Sequence, residues 1–305
     1  MKQLFASMKP SQRETLAAYI FLLPVLLGLL ILVIGPIIAS FILSFTEWNF
    51  VNDPKWIGLD NYTKMFTEDP NFEKSLRVTL TYTLMSVPIY TISGLALSLL
   101  LNLKLKGMYL FRTIFFLPSV ISAVAVSVLW IGLLNPDFGA VNTLLREIGI
   151  TDPPRWLGSR TWAIPAMVLV GLWGVGGSAI IYLAGLQNIP EHLYEAAAID
   201  GAGSFRRFRS ITLPLITPTL FFTLITGLIG AFQVFDTAFI LGGGSRGGRG
   251  GALLFYLLYL WNEGFRNSRF GYASALSWVL VIIAGISIVI LFKTSNRWVY
   301  SEIEG

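Results

Sequence analysis

The chain has no cysteine in its 305 residues and a single histidine, His192. Disulfides, thiolate metal sites and a histidine-rich metal cluster are thereby excluded. Charge is scarce: Asp, Glu, Lys and Arg make up 13% of the residues, about half of the roughly 25% carried by soluble domains. The mean hydropathy is +0.68. Such a composition does not describe a water-soluble globule. The net charge of +5 would suit nucleic acid, but no basic run or basic helical face accompanies it. A phosphate loop of the G-x4-G-K-[S/T] kind is also missing, since no Gly-Lys dipeptide occurs.

What the chain does have is long apolar runs. Six stretches lack all four charged residue types: 15–46, 78–103, 113–136, 161–190, 210–235 and 270–292, each at least 23 residues long. A helix needs about 20 residues to cross a bilayer, and its backbone must be satisfied within the segment. The expected fold is therefore all-α, a polytopic membrane protein with six transmembrane helices. A seventh charge-free run, 250–262, has 13 residues and is too short to cross. It reads as an interfacial or re-entrant piece. The first run exceeds the apolar core of about 7–15 residues found in cleavable signals. No small-residue cleavage site follows it, so it reads as a retained span.

Six spans put both termini on one side. With the N-terminus inside, the inner segments (1–14, 104–112, 191–209 and 293–305) hold 11 basic residues in 55 positions. The outer segments (47–77, 137–160 and 242–269) hold 11 in 83. Basic density is higher inside, and this bias orients membrane proteins. Both termini are expected in the cytoplasm, with 1–14 a cytoplasmic lead-in and 15–305 the membrane domain.

One polar island interrupts the oil: "YEAAAIDGAGSFRRFRSITLPLITP", 194–218, on the cytoplasmic side. Helical spacing over 191–199 gives a short helix. Gly201 and Gly203 suit the left-handed backbone that ends one, and Ser204 suits the cap of a second, "FRRFRSI". The expectation is a helix–turn–helix elbow along the membrane surface. The plainer alternative is a loop whose arginines bind anionic headgroups.

The spacing within the island is specific. Glu195, Ala196 and Ala197, then Gly201 after three residues, then Ile211, Leu213 and Pro214 after nine more, match every fixed position of E-A-A-x3-G-x9-I-x-L-P. This resembles the signature of bacterial binding-protein-dependent ABC importers. "WIGLDNY" (56–62), "FRTIFFLPSVIS" (111–122), "GAFQVFDTAFILGGG" (230–244) and "SRFGYASALS" (268–277) extend the likeness over nearly the whole chain, to sugar permeases of the maltose and glycerol-3-phosphate type. Ser245 departs from the proline usual after those glycines, and the loop after the first span lacks the large extra domain of the maltose permease.

The resemblance implies an ABC importer type I permease fold in the bacterial inner membrane. It implies that the loop 191–212 is a coupling loop seated in a cleft on a cytoplasmic ATPase, with Glu195, Ala196, Ala197, Asp200, Gly201, Ile211, Leu213 and Pro214 as its contacts. Expected partners are a second homologous permease, two ATPase subunits, an extracytoplasmic sugar-binding protein and membrane lipid, but no nucleic acid. No cofactor is expected on this chain, which would not itself be an enzyme; ATP and Mg belong to the ATPase. In the maltose-type permease the sugar lies between the helices flanking the coupling loop. Counting from Glu195 gives Trp173, Gly174, Gly177, Gly227, Ala231 and Val234, small or apolar where that permease has polar ligands. Gln233 and Asp236 are nearby polar substitutes, expected three apart on one face of the fifth helix. For Trp173 and Asp236 packing and capping are the competing readings, and for the glycines close helix approach is.

The run "GGGSRGGRGG" (242–251) contains a G-x-G-x-x-G and resembles an arginine–glycine RNA tract. It lacks the strand–turn–helix that a dinucleotide site needs and reads as an outer loop. An ion-coupled transporter would show related halves and buried charge; neither is visible. A glycerol-3-phosphate, amino-acid or peptide importer remains the other choice of solute, and a non-transporting scaffold would not need the coupling signature.

Overall fold

A computed structural model describes residues 10–300. Residues 1–9 and 301–305, and with them most of the expected lead-in 1–14, lie outside the described residues. The first span is helix α1 (Pro10–Gly28), a π-helical turn (Leu29–Ile34) and α2 (Gly35–Leu43). Pro36 has no N–H to return to the preceding turn, and Gly35 N–H reaches back to Leu30 O instead. A two-residue hairpin follows, β1 (Thr46–Glu47) and β2 (Lys55–Trp56), then α3 (Asp60–Thr67), α4 (Pro70–Leu101), α5 (Met108–Phe116), α6 (Ala123–Leu133), α7 (Ala140–Glu147), α8 (Ala163–Leu172) and α9 (Gly176–Gln187). The chain continues with α10 (Glu191–Ile199), α11 (Ser204–Arg207), a π-turn (Phe208–Thr212), α12 (Leu213–Phe232), α13 (Asp236–Leu241), α14 (Tyr256–Trp261) and α15 (Phe270–Ser295).

Among the described residues four helices are long and apolar enough to cross a membrane alone, and counting each of two bent pairs as one span brings the number to six. The third and fourth spans are thus broken rods. In the third, α5 and α6 meet at 97°. Pro118 sits in the 3-10 turn between them, and Ser122 starts α6 afresh, its Oγ accepting Ala125 N–H at 3.3 Å. In the fourth, α8 and α9 meet at 50° across "WGV". The Trp173, Gly174 and Val175 amides all bond three residues back, at 3.1–3.3 Å, so the helix tightens and turns at its glycines.

The structure divides into two compact units. One holds the described residues up to Met65 with Glu263–Trp278. Its hairpin pairs Thr46 with Trp56, and "WIGLDNY" explains its closure. Buried Asn61 donates to the Ser44 and Thr46 carbonyls at 2.9 and 3.0 Å, Tyr62 donates to Ser44 Oγ at 2.8 Å, and Trp56 stacks on Phe45. Glu263 is buried and paired with Arg269 at 3.2 Å.

The other unit is Phe66–Asn262 with Val279 onward. Helix α4 is its axis, packed on α8, α9 and α12. Asp69 caps it, accepting from the Asn71 and Phe72 amides. Apolar burial gives helices little reason to associate in lipid, so small residues and hydrogen bonds carry the packing. A Cβ on Gly94 would stand 2.7 Å from Ser178 Oγ, and one on Gly185 2.6 Å from Thr219 Oγ1. Much of the run 250–262 is packed into the protein's core. Phe255, Tyr256 and Leu258 are fully buried, Tyr256 N–H donates to Thr79 Oγ1 at 2.9 Å, and Phe255 meets Tyr82 edge to face. Without enough residues to cross, the segment hides its rings against α4. The glycine run before it is a stack of turns, closed by Gly248 N–H to Gly242 O and Leu253 N–H to Gly247 O.

Candidate functional site

The polar island folds as an elbow. Pro190 enters extended, and Glu191 opens α10, where a carboxylate meets the positive end of the helix dipole. At the other end Gly201 N–H bonds to Ala198 O at 3.1 Å and Ala202 N–H to Ala197 O at 2.9 Å. This is a Schellman closure, which needs a left-handed residue past the cap; Gly201 supplies it with φ +74°. Gly203 then caps α11, so Ser204, expected as the cap, is the first helical residue. The second arm is not a separate helix either: it runs through the π-turn into α12 as one rod, Ser204–Phe232. Pro214 offers no N–H to Ser210 O, and Leu213 N–H instead reaches Phe208 O, which widens the turn.

The signature residues divide into two sets. Glu195, Ala196, Asp200 and Gly201 are exposed, with Ala197 half-buried. Ile211, Leu213 and Pro214 are half-buried, the first two packed with Leu193 and Tyr194 on a core of Tyr182, Leu186, Ile189, Ile216 and Leu220. Ile199 and Phe205 flank the turn with 87% and 75% of their surface exposed. An apolar tip of this kind suits a docking surface. Two contacts set the elbow's pose: Tyr194 Oη lies 2.9 Å from Thr212 Oγ1, and Lys104 Nζ donates to Glu191 Oε1 at 2.6 Å. The bond to the Glu191 carboxylate holds the Lys104 ammonium above its ordinary pKa, and the bond from Lys104 holds Glu191 below its own. Both groups are exposed, so the pair fixes pose more than stability.

A cavity of about 390 Å³ lies between α4, the broken fourth span and α12. Of the expected path residues, Gly174, Gly227, Ala231 and Val234 line it. Trp173, Gly177, Gln233 and Asp236 do not. Trp173 sits at the bend, edge to face with Trp130 at 6.4 Å. A Cβ on Gly177 would approach Ser119 Cβ at 3.1 Å. Gln233 and Asp236 do not share a helix face: α12 ends at Phe232, Gln233 is its exposed cap, and the exposed Asp236 opens α13 after Phe235 leaves the helical backbone (φ −131°, ψ −66°).

The polar lining is hydroxyl throughout. Tyr82, Ser86 and Tyr90 of α4 face Ser178 and Tyr182 of α9 and Thr223 of α12, and no charged side chain lines the cavity. Tyr82 Oη and Tyr90 Oη are 3.3 Å apart, Tyr90 donates to Val168 O at 3.1 Å, and Thr223 Oγ1 lies 2.6 Å from Tyr182 Oη. Ser86 Oγ is buried beside the Tyr82 hydroxyl. Sequence reasoning missed these residues, although Tyr82, Ser86 and Tyr90 recur at i, i+4 and i+8, the period of one helix face. A Cβ on Gly171 would overlap the Tyr90 hydroxyl, so this glycine lets α8 close over the tyrosine.

Comparison with known proteins places the chain in a family. Residues 74–304 match the family described as "Binding-protein-dependent transport system inner membrane component". The chain is 42% identical over 292 residues to the probable ABC transporter permease protein YesP of Bacillus subtilis, covering 95% of this chain and 94% of the relative. It is 34% identical to the trehalose/maltose transport system permease protein MalF of Thermococcus litoralis, covering 95% and 97%. Its fold matches a chain in the crystal structure of a bacterial ABC transporter involved in the import of the acidic polysaccharide alginate, with a TM-score of 0.80, 27% identity and coverage of 93% and 96%. The chain belongs to the inner membrane components of binding-protein-dependent transport systems: it is an ABC importer permease.

Proposed function

We propose that this permease carries a carbohydrate into the cytoplasm. The observation that carries the reading is the uncharged, hydroxyl-lined cavity between α4, the broken fourth span and α12. Hydroxyls and aromatic edges suit sugar hydroxyls and ring faces, whereas a phosphate or amino-acid solute would call for a fixed charge. The name of the trehalose/maltose relative points the same way, and the alginate transporter's name shares the carbohydrate though not its lack of charge. Gly174, Gly227, Ala231 and Val234 form the smooth wall of the path, and Tyr82, Ser86, Tyr90 and Tyr182 its hydrogen-bonding wall.

In this reading the elbow faces the cytoplasm, as do both termini. Glu195, Ala196, Ala197, Asp200 and Gly201 meet an ATPase subunit, while Ile211, Leu213 and Pro214 pass its movement to α12. ATP and Mg are held by a pair of such ATPases, a second permease completes the passage, and an extracytoplasmic binding protein delivers the sugar. The test is uptake of radiolabelled maltose and trehalose, and of a charged uronate oligosaccharide, into proteoliposomes holding the whole complex and internal ATP. ATP-dependent uptake of a neutral glycan supports the reading; uptake confined to the uronate oligosaccharide contradicts the argument from the uncharged cavity, and uptake confined to a non-carbohydrate solute such as glycerol-3-phosphate overturns the reading.

A further inference from the structure

Pro214 and Pro218 stand four residues apart at the base of α12, and that spacing makes a defect. In an α-helix the carbonyl of residue 214 accepts from the N–H of residue 218, but proline has none. Thr217 fills the gap, its Oγ1 donating to Pro214 O at 2.6 Å. The same Oγ1 accepts the backbone N–H of Tyr300 at 2.8 Å. A hydroxyl has one proton and two lone pairs, so the two bonds run in series, from tail amide to hydroxyl to the carbonyl of the last signature residue. Each polarises the other.

The segment that brings this amide is itself held. Trp298 N–H and Val299 N–H bond to Ser295 O at 3.0 and 2.8 Å. Trp298 and Phe292 both meet Phe221 edge to face, with centroids at 6.0 and 5.0 Å. Thr217 is buried, and both bonds are partly shielded from bulk water. Helices kink at proline when the freed carbonyl is left open. The elbow attaches two residues before Pro214, through Thr212. Any bending at 214–218 would therefore be lost motion between elbow and α12.

We infer that Thr217 and the backbone of Tyr300 form a positioning joint for coupling, making the elbow and α12 move as one body. This rests on the coupling reading of the elbow, but its test needs neither a transported sugar nor a binding protein. Because the chain has no cysteine, spin labels are placed at His192→Cys on the exposed side of the elbow's first helix and Ile229→Cys on α12, in the purified permease–ATPase complex. Their distance distribution is measured by double electron–electron resonance, without nucleotide and with MgATP plus vanadate. The native pair gives one narrow distribution, unchanged by nucleotide. Thr217→Ala and Tyr300→Pro, which remove the hydroxyl and the amide donor, broaden it and make it shift with nucleotide. Thr217→Ser and Tyr300→Ala, which keep those groups, restore the narrow distribution. A narrow, nucleotide-independent distribution in Tyr300→Pro or Thr217→Ala overturns the joint. So does equal broadening in Tyr300→Ala and Tyr300→Pro, which would assign the effect to the ring. Should Thr217→Ala fail to assemble, the Tyr300 pair decides alone, since residue 300 lies beyond the last helix.

Discussion

Tyr194 Oη and Thr212 Oγ1 lie 2.9 Å apart and tie the first arm of the elbow to the start of the second. They are eighteen residues apart in sequence, with the whole turn between them. A net hydrogen bond of this kind stabilises by about 1 kcal/mol. Tyr194→Phe is expected to reduce binding-protein-stimulated ATP hydrolysis by the reconstituted complex about fivefold, the rate factor for about 1 kcal/mol. Thr212→Val is expected to do the same, and the double variant no more than either. Additive losses would show that the two hydroxyls act separately.

Gly201 separates backbone strain from docking. Its φ of +74° disfavours a side chain, yet nothing lies within 4 Å of where a Cβ would sit. Alanine there costs about 1–2 kcal/mol of backbone energy, while aspartate tolerates left-handed backbone better. If strain were the whole matter, Gly201→Asp would be the milder change. The docking account predicts the reverse: Gly201→Ala keeps most of the stimulated hydrolysis, and Gly201→Asp loses it with the permease still in the membrane.

The cavity makes a kinetic prediction. Tyr90→Phe removes one hydroxyl and keeps the ring; Ser86→Ala removes a buried hydroxyl of the cavity wall. Each is expected to raise the half-saturating sugar concentration about three- to tenfold, in line with a lost hydrogen bond of about 1 kcal/mol. Trp173→Ala, which loses the contact to Trp130 rather than a cavity wall, is expected to lower the amount of assembled complex more than its apparent affinity. Uptake kinetics at equal permease content check all three.

The Lys104–Glu191 pair predicts a flat pH response near neutrality. The depressed Glu191 carboxyl contributes above its ordinary pKa and is lost only as pH falls through the lowered value; the raised Lys104 contributes below its ordinary pKa and is lost only as pH rises through the raised value. Neither end falls within about pH 5–9. Glu191→Gln is expected to make coupling less sensitive to ionic strength, since salt screens an exposed pair. An unchanged salt profile in that variant would show that the pair does not set the elbow's pose.

Much of this was legible in the sequence, because charge in a bilayer is costly and its absence marks the spans. The elbow was legible as well, since glycine at a left-handed turn and the E-A-A signature are local. What escaped was breakage. The charge-free runs 113–136 and 161–190 each look like one rod, but Pro118 and the glycines at 174, 176 and 177 release the backbone where neighbours satisfy it. The same blindness put Gln233 and Asp236 on one helix face. The sequence also left Trp173 open between lining the path and packing between helices; the bend sets it edge to face with Trp130. The hydroxyl stripe of α4 was hidden because Tyr, Ser and Thr are unremarkable within a span; only the packing of α9 and α12 makes them a wall.

The most direct test of the account is a cross-link from the elbow to the ATPase. Cysteines introduced singly at Ile199, at Phe205 and, as a control, at Ser245 are reacted in the membrane-bound complex with a short bifunctional thiol reagent, against an ATPase carrying one cysteine at the rim of its permease-facing cleft. The account predicts cross-linking from Ile199→Cys and Phe205→Cys, lost when the elbow also carries Gly201→Asp, and none from Ser245→Cys. A cross-link from Ser245→Cys with none from the two elbow positions would contradict it.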